Sequence, residues 1–146
     1  MANLSKLKKS LTVHEGKRNF PYKDTVGKLT IGIGRNLDDR GLSDAEINFL
    51  LKNDMNMCII QVRNNFSFFD KMDDVRQNVL IEMVFNMGIG TVRKFVRTLQ
   101  AMSDGDYKRA SRGMRRSKWA RQVGNRAKVL AEMMEKGEWP KEKHYR

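Results

Sequence analysis

An α+β fold, mostly helical with a small antiparallel sheet near the N-terminus, follows from three features of this 146-residue chain. Apolar residues recur at three- and four-residue spacing over most of its length, the mark of amphipathic helices. One stretch, FPYKDTVGKLTIGIG, alternates apolar and polar residues instead and is broken by glycines. Finally, with two prolines, no low-complexity tract and no repeat, nothing marks a linker, and the length fits a single domain with ample room for a core.

Asn3 can cap a first helix over 3–14 whose Leu4, Leu7 and Leu11 share one face and which ends near Gly16. The sheet is predicted at about 20–35, as two or three short strands joined at the turn DTVG, with Leu29, Ile31 and Ile33 alternating. After a loop, NLDDRGLS, the pair Ser43 and Glu46 forms an S-x-x-E capping box. It opens one long helix from about Asp44 to Asn64 that carries Ile47, Leu50, Leu51, Met55, Cys58, Ile59 and Val62. Asp73 and Asp74 begin a central, largely buried helix with Val75, Val79, Leu80, Met83, Val84 and Met87, stopping at Gly88. Val92, Phe95, Val96, Leu99 and Met102 mark one further helix. Asp106 starts a short basic one, and 117–122 makes a single turn. Asn125 caps the last helix, which stops at Gly137.

Composition narrows the function. The chain has 29 Lys+Arg against 17 Asp+Glu, a formal charge of +12 and a pI near 10.1, with the excess concentrated between Arg109 and Lys128. Such a field draws in polyanions: nucleic acid, anionic cell wall or anionic lipid. The single cysteine, Cys58, permits no intrachain disulfide and reads as a small buried residue on a helix. His14, His144 and Cys58 lack the spacing of a metal cluster, so neither a metal nor another cofactor is expected. No signal-peptide core and no long apolar run is visible, which predicts a soluble chain made in the cytoplasm. The methionines, among them Met83, Met87, Met133 and Met134, read as core filling, and Trp119 as a core aromatic.

The chemistry concentrates in EGKRNFPYKDTVGKLTIGIG. Glu15 closes the first helix, Asp24 follows nine residues later at the hairpin turn, and Thr30 six residues beyond that. Two carboxyl groups carried by different elements can face one groove. Hydrolysis of a glycosidic bond uses such a pair, one protonated to release the leaving oxygen and one ionised on the opposite face. Each residue alone has a plainer reading: Glu15 as a surface glutamate balanced by Lys17 and Arg18, Asp24 as a turn former, Thr30 as a β-branched strand residue. A carboxylate at a helix C-terminus is nevertheless mildly unfavourable, and such local violations gather at functional sites. Gly32 and Gly34 let another chain approach the strand backbone, or simply mark a bend.

These residues, with MVFNMG at 83–88 and SKW...NRAK at 117–128, resemble the phage-type lysozymes, the endolysin family that includes the lysozyme of T-even phages. The resemblance spans nearly the whole chain. It implies a two-lobed lysozyme-like fold within a single domain, 1–146. The small lobe would cover about 15–60, the helical lobe about 65–146 plus the N-terminal helix, and the long helix would join them. It implies hydrolysis of the β-1,4 bond between N-acetylmuramic acid and N-acetylglucosamine in peptidoglycan, with Glu15 as proton donor, Asp24 as ionised partner and Thr30 holding the attacking water. Inversion follows if the carboxyl groups stand roughly 6.5–9.5 Å apart. Phe20, Gly32 and Asn86 are the substrate contacts implied, and Arg126 matches an arginine that contacts the acid.

Two departures stand out against that pattern. Arg35 follows IGIG where many relatives have histidine, and the connection from Asn36 to Ser43 is shorter than in the T-even phage enzyme. The implied partners are a peptidoglycan strand, an anionic envelope met through the basic surface, and a holin that lets a host-cytoplasmic monomer reach periplasmic peptidoglycan; the short basic tail from Lys136 closes the fold. Three rivals remain. A lytic transglycosylase would cleave the same bond without water, and a wall-binding module would keep the groove without hydrolysis. A nucleic-acid-binding domain fits the pI, yet no aromatics interleave the basic run and no recognition motif is present, so no nucleic acid is expected.

Overall fold

The computed structural model of the chain describes residues 1–141 and divides into two compact units, Met1–Leu50 and a second that begins at Leu51. In the first unit, helix α1 (Leu4–Glu15) is capped as its sequence predicts: the Lys6 N–H donates to Asn3 Oδ1 at 3.1 Å. It ends at Gly16, whose N–H donates to the Thr12 carbonyl with φ at +77°. Strands β1 (Arg18–Lys23), β2 (Leu29–Gly32) and β3 (Arg35–Asn36) follow as a three-stranded antiparallel sheet in chain order.

Register explains why β1 alternates poorly. Tyr22 pairs with Thr30 and Arg18 with Gly32, so four steps on β1 face two on β2 and a bulge carries Asn19, Phe20 and Pro21. Proline has no N–H to give the ladder and is tolerated at such a place. Phe20 stands outward there at 81 % exposure.

The segment read as a loop, NLDDRGLS, holds a helical turn, α2 (Leu37–Arg40). Asn36 caps it by accepting the Asp39 N–H at 3.0 Å, Asp38 and Asp39 sit at its positive end, and Gly41 stops it. Asp38 Oδ2 also accepts the Leu29 N–H at 2.7 Å, which ties the turn to β2. Then comes α3 (Asp44–Asn65), opened by the reciprocal box: Glu46 N–H donates to Ser43 Oγ at 3.2 Å, and Ser43 N–H to Glu46 Oε1 at 2.8 Å. Of its apolar residues only Cys58 and Val62 are buried. Burial and the neighbouring Asp54 charge push the Cys58 thiol up, which keeps it an unreactive packing residue.

The second unit is wholly helical among the described residues. A 3₁₀ turn (Phe69–Lys71) leads to α4 (Asp74–Met87), capped by Asp73 and buried along Val75, Val79, Leu80, Met83 and Val84. The single helix expected through 92–102 is two, α5 (Ile89–Arg93) and α6 (Val96–Ser103), because the chain turns at Lys94 and Phe95. Next are α7 (Tyr107–Arg116), capped by Asp106, and α8 (Lys118–Val123), capped by Ser117. The last helix, α9 (Asn125–Lys136), begins one residue earlier than expected. Gly124 with φ at +64° is its cap, and Asn125 is its first helical residue, making no side-chain cap. Gly137, in the left-handed conformation, ends it.

The core is built from these helices, with Phe69, Leu80, Met83, Met102, Met114 and Met134 fully enclosed; most methionines fill core as expected, but Met1, Met55 and Met57 are exposed. Arg76 locks α4 to the end of α9. Its Nε donates to the Met134 carbonyl at 2.6 Å and its Nη2 to the Glu135 carbonyl at 2.8 Å, while Nη1 pairs with Asp73 at 3.0 Å and the guanidinium lies 3.8 Å from the Tyr107 ring centroid. Beyond Lys141 the rest of the basic tail lies outside the described residues.

Candidate active site

Helix α1 delivers Glu15 to the turn between β2 and β3. A Cβ placed on Gly34 would come within 2.7 Å of Glu15 Oε2 and 2.9 Å of its Cδ, so only a glycine leaves room for the carboxyl group. Gly34 also holds φ at +70°, a region other residues enter at a cost of roughly 1–2 kcal/mol. Glu15 itself is exposed and makes no hydrogen bond or ion pair among the described residues. Gly32 shares the same φ but has nothing within 4 Å of its Cβ position, so close approach belongs to Gly34. Sequence singled out Gly32 as a contact; the two glycines look alike locally, and only the placement of Glu15 separates them.

Asp24 stands in the β1–β2 turn, before the other end of β2. Its Oδ1 accepts the Val26 N–H at 3.0 Å and the Lys28 N–H at 2.8 Å, and its carbonyl accepts from Gly27. This is the Asx geometry that a turn-forming aspartate supplies. Oδ2 takes no partner among the described residues, so one carboxylate oxygen organises the turn and the other is left for an incoming group.

Thr30 is 4 % exposed, on β2 between Tyr22 and Asn36, and its hydroxyl donates to the Lys28 carbonyl at 2.9 Å. With its proton committed, the Thr30 oxygen can act only as an acceptor. The β1–β2 hairpin therefore carries an acceptor and a half-used carboxylate, and α1 brings a second carboxyl group to the β2–β3 turn.

Arg35, where many relatives carry histidine, has a structural task. Its Nη1 reaches the Gly41 carbonyl at 3.1 Å and Glu46 Oε1 at 2.7 Å, and Nη2 pairs with Glu46 Oε2 at 2.5 Å. The Arg35 guanidinium, helped by the Ser43 N–H, holds the Glu46 carboxyl down at about 2. One side chain thus ties β3, the stop of α2 and the start of α3.

The remaining predicted residues lie elsewhere. Phe20 projects from the β1 bulge. Asn86, near the end of α4, accepts the Trp119 indole N–H at 2.7 Å, and Trp119 is buried against Phe95, edge to face with ring centroids 6.5 Å apart. The Asn86 amide nitrogen makes no bond and is exposed. Arg126 pairs through Nε with Glu82 at 2.9 Å, both on the second unit. Among the described residues, no group of three or more His, Cys, Asp or Glu could hold a metal ion, and no helix is long and apolar enough to cross a membrane.

A profile of the phage lysozyme family matches residues 12–136. "Probable T4-type lysozyme 1" of Dictyostelium discoideum is 26 % identical, aligned over 92 % of this chain and 96 % of its own. The SAR-endolysin of Bacteriophage PS119 is 32 % identical, over 73 % of this chain and 64 % of its own. Pre-baseplate central spike protein Gp5 of Enterobacteria phage T4 is 30 % identical over 77 % of this chain, but over only 24 % of that longer protein. With the family profile running from the last turn of α1 to the end of α9, this chain belongs to the phage lysozyme family and is a glycoside hydrolase of the muramidase type acting on peptidoglycan.

Proposed function

We propose that this enzyme is an endolysin that hydrolyses the β-1,4 bond between N-acetylmuramic acid and N-acetylglucosamine with inversion, using Glu15, Asp24 and Thr30. The observation that carries the reading is the seat of Glu15 against Gly34, in the same three-stranded sheet that holds the other two. Glu15 donates its proton to the leaving glycosidic oxygen as positive charge develops on the sugar ring. The free Oδ2 of Asp24 stabilises that charge and draws a proton from the attacking water. Thr30, whose own proton goes to the Lys28 carbonyl, accepts the water's second hydrogen and fixes its line of approach. Water then enters on the face opposite the departing sugar, and the anomeric configuration inverts.

Phe20, Gly32 and the amide nitrogen of Asn86 are assigned to contacts with the glycan strand. The enzyme works as a monomer, is made in the host cytoplasm and reaches periplasmic peptidoglycan once a holin has opened the inner membrane, so that lysis follows. Product chemistry tests the mechanism. Mass spectra of digested peptidoglycan are expected to show reducing muramic ends carrying one added water. Anhydro-muramic ends would mean attack by the sugar's own hydroxyl, and water activation by Asp24 and Thr30 would be wrong.

A further inference from the structure

We infer that the groove between α6 and α7 is a binding site for a phosphate group carried on an envelope glycan, separate from the residues assigned to catalysis. Six residues line it: Arg97 and Thr98 on α6, and Arg109, Arg112, Gly113 and Arg116 on α7. Arg109, Arg112 and Arg116 follow each other at three- and four-residue spacing, which stacks them on one face of α7. None of the four arginines makes an ion pair among the described residues, and all four are exposed. Like charges at this spacing repel along a helix, so the free protein carries a local penalty that a bound anion would relieve.

The floor is polar. Thr98 is 6 % exposed and lines the groove, and its hydroxyl oxygen, which makes no hydrogen bond among the described residues, is not fully enclosed and can be reached from the groove. Gly113 faces it, and a Cβ there would clash with Thr98 Oγ1, so glycine permits the close helix packing. Arg97 and Thr98 also belong to the first turn of α6, whose N–H groups and dipole favour an anion. A hydroxyl at the bottom and guanidinium forks around the rim match the tetrahedral oxygens of a phosphate.

The lining discriminates among phosphate carriers. It contains no aromatic residue on which a base could stack, which argues against single-stranded nucleic acid. Nor does it contain an apolar residue to enter a bilayer. A phosphate projecting from a polysaccharide enters such a groove and holds the enzyme beside the polymer it cleaves. This last step rests on the peptidoglycan activity; the phosphate site does not.

The test measures binding rather than turnover, so it is independent of the catalytic assignment. Inorganic pyrophosphate is titrated into the full chain at low salt while amide NMR shifts are followed. Saturable shifts centred on Thr98 and Gly113 are expected, weakened at least tenfold in the double variant Arg112→Gln/Arg116→Gln and several-fold in Thr98→Val. Arg115→Gln/Arg121→Gln removes the same charge outside the groove and should change affinity less than twofold. Equal weakening by both pairs, or shifts that never saturate, would reduce the groove to diffuse charge and overturn the site. Retention is then compared on a phosphorylated envelope polysaccharide, phosphatidylglycerol vesicles and duplex DNA. Groove-dependent retention is expected on the polysaccharide, and tighter groove-dependent retention on either of the others would overturn the assigned carrier.

Discussion

Gly34 shows how much a single residue can decide. Replacing it with alanine forces a Cβ into the space of the Glu15 carboxyl group and strains a positive φ. Gly34→Ala should fold with a loss of about 1–2 kcal/mol from the strain, and its wall-clearing rate should fall on the order of a hundredfold, because a misplaced acid is no longer in line with the leaving oxygen. Gly32→Ala carries the same backbone strain without the clash, so comparing kcat for the two at matched thermal stability separates positioning from folding. Equal activities would remove the Glu15–Gly34 contact from the mechanism.

Residue-scale legibility followed the range of the interaction. Asn3, Ser43, Glu46, Asp73 and Asp106 were readable at helix starts because a cap acts within three or four residues, whereas the cap at Ser117 was not read and Asn125 was wrongly read as one. Asp24 was readable twice, as turn former and as carboxylate, and the structure leaves room for both by committing only Oδ1 to the turn. Gly34 could not be told from Gly32, since what distinguishes them is a side chain nineteen positions away in the sequence. The bidentate pairing of Arg35 with Glu46 was likewise hidden, as nothing local says which acid an arginine will find.

At the scale of the element, the Arg35–Glu46 clasp gives the small sheet unit a pH dependence. Glu46 sits at about 2 in the folded protein, below the ordinary value of 4.5 that it regains on unfolding. The folded state therefore binds fewer protons through this group, and its contribution is whole above about pH 4.5 and fades as pH falls towards 2. Glu46→Gln should lower stability at neutral pH, and its acid-denaturation curve should approach that of the parent across that window. Parallel curves from pH 5 to 2 would contradict the clasp.

In the helical unit, Arg76 closes the open carbonyl end of α9, makes an ion pair with Asp73 and stacks on Tyr107. Arg76→Ala should cost about 2–4 kcal/mol in denaturant unfolding, because the carbonyls lose charged donors and Asp73 loses its partner. A loss under about 0.5 kcal/mol would show that water replaces the guanidinium adequately. Elements were legible where periodicity was long, as in α3 and α4. The four-residue α2 is too short for a period to show, although Asn36, Asp38, Asp39 and Gly41 together were a signal. The split into α5 and α6 was missed because Val92, Phe95, Val96 and Leu99 keep helical spacing across the turn that divides them.

For the whole molecule, the +12 charge is a statement about encounter rather than fold. Wall clearance should slow as salt rises from low to physiological strength, with most of the effect in the association step, since screening shortens the reach of exposed charge to about 8 Å. An initial rate that does not change with salt would leave the basic surface without a part in finding the substrate. The α+β class and the position of the sheet were visible from alternation and glycine placement alone. The proposed catalytic constellation was legible only through the family resemblance, because Glu15, Asp24 and Thr30 each have an ordinary reason to be where they are.

The most direct test of the account is Glu15→Gln, which keeps the side chain's size above Gly34 and removes the proton that catalysis is argued to need. The variant should keep the parent's thermal transition to within a few degrees and bind peptidoglycan, while the release of reducing ends falls by at least a thousandfold. Reducing ends released at the parent's rate by a folded Glu15→Gln protein would contradict the central claim.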